Sequence, residues 1–171
     1  ARPREATAEA GRYGIASGPA VLVNGSAIGI YGDRGDSVLT EEVAPGAGFA
    51  AELCRDWEQA ALKASGIKTR VVCLRIGLVF DNDGGALPMM ALPARFGLGS
   101  IMGSGAQWMS WITRADLLRM IMNAMDDRRF EGAINAVAPE PLRQADFQRA
   151  LARTLQRPLF LTVPGWALKM L

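Results

Sequence analysis

The stretch TRVVCLRIGLVF, Thr69 to Phe80, holds an unbroken apolar core, Val71-Val72-Cys73-Leu74, between Arg70 and Gly77. A short continuous apolar run rich in β-branched residues reads as a buried strand. The spacing predicts one over Arg70–Ile76. Upstream, Phe49, Leu53, Trp57, Ala60, Ala61 and Ala64 recur at helical spacing and Gly66 offers a stop, which predicts a helix from Gly48 to Ser65. Before it lies the polar loop YGDRGDSVLTEEVAPGAG, Tyr31 to Gly48, punctuated by Gly and Asp. Before that, AVLVNG, Ala20 to Gly25, is a second short apolar run with Val21 and Val23, and reads as a strand. The Ala/Arg/Glu/Gly-rich start is expected to form a frayed helix and then a loop, Gly14 to Pro19.

Downstream, Asp81 to Ser110 contains Gly84, Gly85, Gly97, Gly99, Gly103 and Gly105. A connection this long and glycine-rich is usually functional, and a short helix near Leu87–Phe96 is expected inside it. Thr113 reads as an N-cap, with Asp116 three residues on imitating a capping box. Leu117, Ile121 and Met125 form one face of the helix that follows, widened by Leu118 and Met122. GAINAVAP, Gly132 to Pro139, reads as a strand. Phe147, Ala150, Leu151 and Leu155 mark a further helix. LFLTV, Leu159 to Val163, reads as a final strand before a terminal helical turn. Strands alternating with helices imply an α/β fold with a mostly parallel sheet and right-handed crossovers. Ligands bind such sheets beyond the carboxyl ends of the strands. Gly25–Tyr31, Gly77–Asp83 and the glycine loop therefore share one rim. No internal repeat interrupts the pattern.

Composition narrows the chemistry. The 171 residues are 50% hydrophobic and 21% charged, with a formal net charge of +2. A chain of this length buries about 70% of the surface its unfolded form exposes, enough for a sizeable core. The mild charge and the lack of a Lys/Arg run argue against nucleic acid as a partner. There is no histidine. Ser-His-Asp and Cys-His nucleophile systems, HExxH metal sites and histidine bases are therefore excluded. Cys54 and Cys73 are the only cysteines and form no CxxC, which points to two buried thiols rather than a disulfide framework or zinc site. No apolar stretch approaches the roughly 20 residues that a bilayer span needs, and no secretory core opens the chain, so no membrane partner and a cytoplasmic setting are expected.

The rim carries a recognisable set of segments. These are SAIGIYGD (Ser26–Asp33), Thr40-Glu41, LCRDWE (Leu53–Glu58), LRIGLVF, GGALPMM, GLGSIMGSGAQWMSWITRADL and NAVAPEPLRQADF. Together they resemble the atypical short-chain dehydrogenase/reductase group called epimerase family proteins (NAD-dependent epimerase/dehydratase-like, with a SulA-like label). The resemblance runs from about residue 20 to residue 171. It implies a Rossmann-like sheet, the second half of a doubly wound fold, plus a small C-terminal substrate-side subdomain. It also implies NADP(H) as cofactor and a small-molecule substrate. Residues 1–80 would be a partial NADP-binding core and 81–171 a substrate-side lid and subdomain, with strands near 133–137 and 159–163 rejoining the core. The lid would be Asp81–Ser110.

Two departures stand out. The glycine-rich turn that seats a pyrophosphate on a helix N-terminus is missing, and Gly97–Gly105 has the wrong spacing for one. The chain is therefore expected to correspond to the C-terminal portion of such a protein, and to stop short of the group's usual end. The relatives' Tyr-x-x-x-Lys pair, which exchanges a substrate proton, is also absent. Counting back from Glu58 puts Cys54 and Ala50 at its positions, or Leu53 and Phe49 in the shifted register.

Candidate residues follow from position and from the resemblance. Ser26 and Tyr31 are the catalytic candidates. Ser26 would hold a substrate oxygen or satisfy loop backbone; Tyr31 would exchange a proton or pack with its hydroxyl in water. Arg75 interrupts an apolar strand, where an unpaired charge is expensive. It would fork onto a cofactor phosphate or the nicotinamide ribose region, or else form an ion pair with an acid such as Glu58. Gly77 and Leu78 would meet the nicotinamide carboxamide through backbone groups. Gln107, Trp108 and Trp111 would make an aromatic substrate wall with one amide, with core packing the alternative for Trp111. Cys54 is expected to pack, since no histidine activates it. The expected activity is NADP(H)-dependent hydride transfer on a carbonyl or sugar-like substrate. The alternative is a non-catalytic NADP(H) sensor.

Overall fold

The structure is a computed structural model that describes residues 19–67 and 69–164. The helix and loop expected before Pro19, and the terminal helical turn, lie outside the described residues. The fold is mixed α/β, as the alternation of strands and helices requires, and it divides into two units that break between Ile76 and Gly77. Leu118–Ala136 belongs with the first unit.

The first unit is built on a three-stranded sheet. Its strands are β1 (Val21–Ala27), β2 (Arg70–Ile76) and β7 (Gly132–Ala136), in the order β1-β2-β7, and both pairings are parallel. The central strand is the apolar run read from sequence: Val71, Val72, Cys73 and Leu74 are at most 3% exposed. β1 continues to Ala27, two residues past the expected end, so Ser26 is a strand residue rather than a loop residue.

Helix α1 (Phe49–Leu62) crosses from β1 to β2 and passes into a 3-10 turn, Lys63–Ile67, that contains Gly66. Its period is as predicted, but its face is not the one the large residues mark. Phe49, Leu53 and Trp57 point outward, and the buried stripe is Ala51, Cys54, Glu58 and Ala61. Small side chains let the helix lie close to the sheet, which leaves the bulky ones outside.

The second unit consists of short pieces. β3 (Leu78–Phe80) pairs parallel with β6 (Trp111–Thr113). β4 (Ser100–Met102) pairs parallel with β9 (Leu161–Val163), and β5 (Trp108–Met109) pairs antiparallel with β8 (Leu142–Arg143). Two helices, α2 (Ala86–Arg95) and α4 (Gln144–Thr154), belong to the same unit. The segment expected to be a long glycine loop is thus organised: Asp81–Ser110 contains α2, β4 and β5. The strand near 159–163 pairs with β4 and not with the three-stranded sheet, whereas the one near 133–137 does join that sheet.

Helix α3 (Arg114–Asp126) begins in the second unit and ends in the first. At its start Thr113 and Asp116 bond each other, as the imitated capping box led one to expect. The Asp116 backbone N–H donates to Thr113 Oγ1 at 3.1 Å, and the Thr113 hydroxyl donates to Asp116 Oδ2 at 2.6 Å. Its far end is closed by Arg70, which donates to the carbonyls of Ala124 and Met125 and to that of Phe130 just beyond.

Candidate functional site

Parallel register sets three polar residues side by side. Ser26 on β1 is opposite Arg75 on β2, and Arg75 is opposite Asn135 on β7. The row lies one residue short of each strand's carboxyl end, where ligands approach sheets of this kind. Each is a polar break in an apolar strand. None can be buried there without partners.

The partners come from α1 and from the loop after β1. Glu58 is 7% exposed and meets the Arg75 guanidinium in a fork: Nε donates to Oε1 at 2.9 Å and Nη2 to Oε2 at 2.9 Å. The Ser26 hydroxyl donates to Glu58 Oε1 at 2.7 Å. Arg75 Nη1 donates to the Tyr31 hydroxyl at 2.9 Å and to the Glu41 carbonyl at 3.0 Å. The Tyr31 hydroxyl in turn donates to Asn135 Oδ1 at 2.6 Å. Asn135 also donates its backbone N–H to Glu41 Oε1 at 2.8 Å and its amide to the Leu39 carbonyl at 3.2 Å.

Electrostatics fit this wiring. Burial pushes the Glu58 carboxyl up, but hydrogen bonds from Arg75 and then Ser26, with the Arg75 charge, outweigh it and hold the group below its ordinary value. Arg75 is raised chiefly by its hydrogen bonds to Glu58 and stays charged. Burial, and then the Glu58 charge, push the Cys73 thiol up.

The three candidates of this unit, Ser26, Tyr31 and Arg75, are therefore brought together, but each is committed. The Arg75 fork expected to meet a phosphate faces Glu58; of the two readings open in the sequence, the ion pair is the one formed. Tyr31 is 2% exposed, so its hydroxyl is in a buried network and not in water. Ser26, 5% exposed, bonds a carboxylate and not the loop backbone. On α1, where the resemblance implies a proton-exchanging pair, Ala50 and Cys54 stand in one register and Phe49 and Leu53 in the other. Cys54 packs with Ile30 and Tyr31.

The remaining candidates lie in the second unit. Gly77 approaches Ser110 so closely that a Cβ would stand 2.5 Å from its carbonyl oxygen and 2.9 Å from Val137 Cγ1. Packing alone demands glycine there. Leu78, opposite Trp111, gives its backbone N–H to the Ser110 carbonyl at 2.9 Å. The backbone donor expected to meet a carboxamide is engaged. Trp111 is half-buried and stacks on Phe80, ring centres 5.8 Å apart, and its Nε1 donates to the Glu140 carbonyl. Trp108 is 45% exposed beneath the Arg143 guanidinium, 3.6 Å from its ring centre. Gln107 donates to the Met102 carbonyl. Gly97–Gly105 wraps β4 and leads into no helix, so it seats no pyrophosphate.

Glu41 and Asn135 lie in segments that carry the resemblance, but sequence reading did not single out either one as a site residue. Asn135 carries the signal that singled out Arg75, a polar residue inside an otherwise apolar strand, and was legible. Glu41 sits in an exposed loop among other acids and has no such signal. Among the described residues no helix is long and apolar enough to cross a membrane.

No protein-family model matches the chain. Relatives do. The chloroplastic epimerase family protein SDR39U1 homolog of Arabidopsis thaliana is 42% identical over 153 residues, 90% of this chain and 44% of that protein. Epimerase family proteins of Mycobacterium leprae and Staphylococcus saprophyticus are 37% and 40% identical, over 90% and 89% of this chain and 50% and 51% of theirs. The chain thus spans about half the length of these curated relatives. Among solved structures, the human epimerase family protein SDR39U1 with NADPH has a TM-score of 0.85 at 30% identity, over 91% of this chain and 52% of that one. The nucleoside-diphosphate sugar epimerase from Corynebacterium glutamicum has a TM-score of 0.73 at 38% identity, over 88% of this chain and 34% of that one. Thermus thermophilus UDP-glucose 4-epimerase in complex with NAD shares the fold, with a TM-score of 0.70 at 19% identity.

Proposed function

We propose, from the premise that this chain is a homologue of the epimerase family proteins, the atypical short-chain dehydrogenase/reductase group, that it supplies the floor of a nicotinamide pocket in an NADP(H)-dependent protein. The reaction would be hydride transfer between the nicotinamide and a carbonyl or sugar-like carbon. The observation that carries the reading is the row Ser26, Arg75 and Asn135 at the carboxyl ends of three parallel strands. The NADPH in the human relative's structure supports the choice of cofactor.

The described residues do not fit the phosphate end of a dinucleotide. Arg75 has spent its fork on Glu58, and among the described residues no strand passes directly through a Gly-x-x-Gly-x-x-Gly turn into a helix. What this chain's own residues do is hold the rim. Glu58 and Arg75 neutralise each other beneath it, Ser26 is oriented by Glu58, and the Tyr31 hydroxyl is fixed between Arg75 and Asn135. Such preorganisation is what a reacting carbonyl needs around it.

A second reading has its own support. Neither register of α1, Ala50 with Cys54 or Phe49 with Leu53, supplies a proton-exchanging pair, and both Ser26 and Tyr31 are sealed, which suits an NADP(H)-binding sensor that turns nothing over. Single-turnover oxidation of NADPH, tried with a panel of aldehydes and sugar nucleotides, separates the two. Absorbance loss with any of them supports the enzyme; NADPH binding with no loss for all of them selects the sensor. Reading the codons upstream of Ala1 for a GxxGxxG turn tests the cofactor assignment itself.

A further inference from the structure

The loop between β1 and α1 does not simply hang off the sheet edge. It leaves the sheet at β1, and its middle is bonded to β2 and β7. The Arg75 guanidinium on β2 holds the Glu41 carbonyl. Asn135 on β7 holds the Glu41 carboxylate through its backbone N–H and the Leu39 carbonyl through its side chain. Leu39 and Val43 pack against the buried cluster of Ile30, Tyr31 and Cys54. Outside this middle the loop is mostly exposed, and its neck is tied together: the Gly46 N–H donates to the Ile30 carbonyl at 2.8 Å, and the Arg34 guanidinium donates to the carbonyls of Tyr31, Ala44 and Pro45, so the loop's two arms move as one. Its two ends are glycines with positive φ, Gly32 at 65° and Gly48 at 97°. No close contact explains either one: a Cβ on Gly32 would meet only ordinary van der Waals neighbours, and one on Gly48 nothing within 4 Å. They are there for backbone freedom, which suits hinges.

We propose that residues 32–48 form a lid, hinged at Gly32 and Gly48 and latched by Glu41 onto Asn135, whose opening uncovers the Tyr31 hydroxyl and the Cys54 thiol while the sheet stays folded. The inference rests on the geometry of the first unit alone and holds whether the protein is an enzyme or a sensor. Tyr31 is 2% exposed in the closed state, and such an opening gives a ligand a route to its hydroxyl in either reading.

The chain carries its own reporters. Cys54, 6% exposed, belongs to the cluster that the lid covers, and Cys73, 1% exposed, lies in the central strand. Alkylation of the native 171-residue chain by iodoacetamide, read at each cysteine by mass spectrometry, follows lid opening at Cys54 and global unfolding at Cys73. Cys54 is expected to react faster than Cys73. Glu41→Ala should speed Cys54 alone by about tenfold or more, the scale of a lost charge-assisted hydrogen bond. Glu41→Gln, whose amide oxygen still accepts from Asn135 but without the charge, should fall between the parent and Glu41→Ala. Equal rates at the two cysteines, equal acceleration of both by Glu41→Ala, or no effect of that variant would overturn the lid.

Discussion

Arg75 is the residue on which the first unit turns. An arginine in a buried strand is tolerable only because α1 brings a carboxylate to meet it, and removing one member leaves the other uncompensated. Arg75→Met is expected to cost about 3–5 kcal/mol of stability in urea denaturation, and Glu58→Leu a similar amount. The double variant should be clearly more stable than the sum of the singles implies; strict additivity would mean the pair is not coupled. The pH dependence follows from the lowered Glu58 carboxyl. The unfolded chain takes up this proton at higher pH than the folded one. Its contribution is therefore present above the ordinary carboxylate range of about 4 and lost as pH falls through the folded value. Glu58→Gln should flatten the acid limb of the stability profile, and an acid limb of unchanged steepness would count against this assignment. At this scale the sequence went far. Arg75 was visible as a misplaced charge with Glu58 as its possible partner, and choosing between that carboxylate and a cofactor phosphate needed the distance.

Helices α1 and α3 show two ways in which elements are specified. The start of α3 is local chemistry, since Thr113 and Asp116 satisfy each other within one turn. Thr113→Ala should cost about 1 kcal/mol, measurable as a lowered urea midpoint at constant m. The orientation of α1 is not local. Phe49, Leu53 and Trp57 give the helical period, yet the sheet receives the stripe of Ala51, Cys54, Glu58 and Ala61, because Glu58 must reach Arg75 and the helix must approach closely. The turn from β2 into β3 is specified by crowding. Gly77→Ala would place a methyl against the Ser110 carbonyl, and a loss of about 1–3 kcal/mol is expected, seen as a lowered thermal midpoint. The segment Asp81–Ser110, which its glycines marked as a loop, holds a helix and strands too short for periodicity to register. Strands of two or three residues are chosen by the partner they pair with, so single-sequence reading passes over them.

Considered whole, the chain carries the carboxyl-end rim of a parallel sheet and, among its described residues, no phosphate-gripping turn. Calorimetry on the 171 residues alone should therefore find NADPH binding weaker than low-micromolar; a low-micromolar dissociation constant would show a phosphate site that the described residues do not contain. The sequence by itself determined the α/β alternation, the buried central strand, the capping box of α3 and the kinship to epimerase family proteins. Each of these is written in neighbouring residues or in apolar runs that bury themselves wherever they fold. Only the tertiary structure decided which face of α1 meets the sheet, that Arg75 spends its fork on Glu58, and that Glu41 is drawn to Asn135, 94 positions along the chain. Those outcomes depend on strand register and on competition among distant partners for a few buried donors. No local pattern encodes either one.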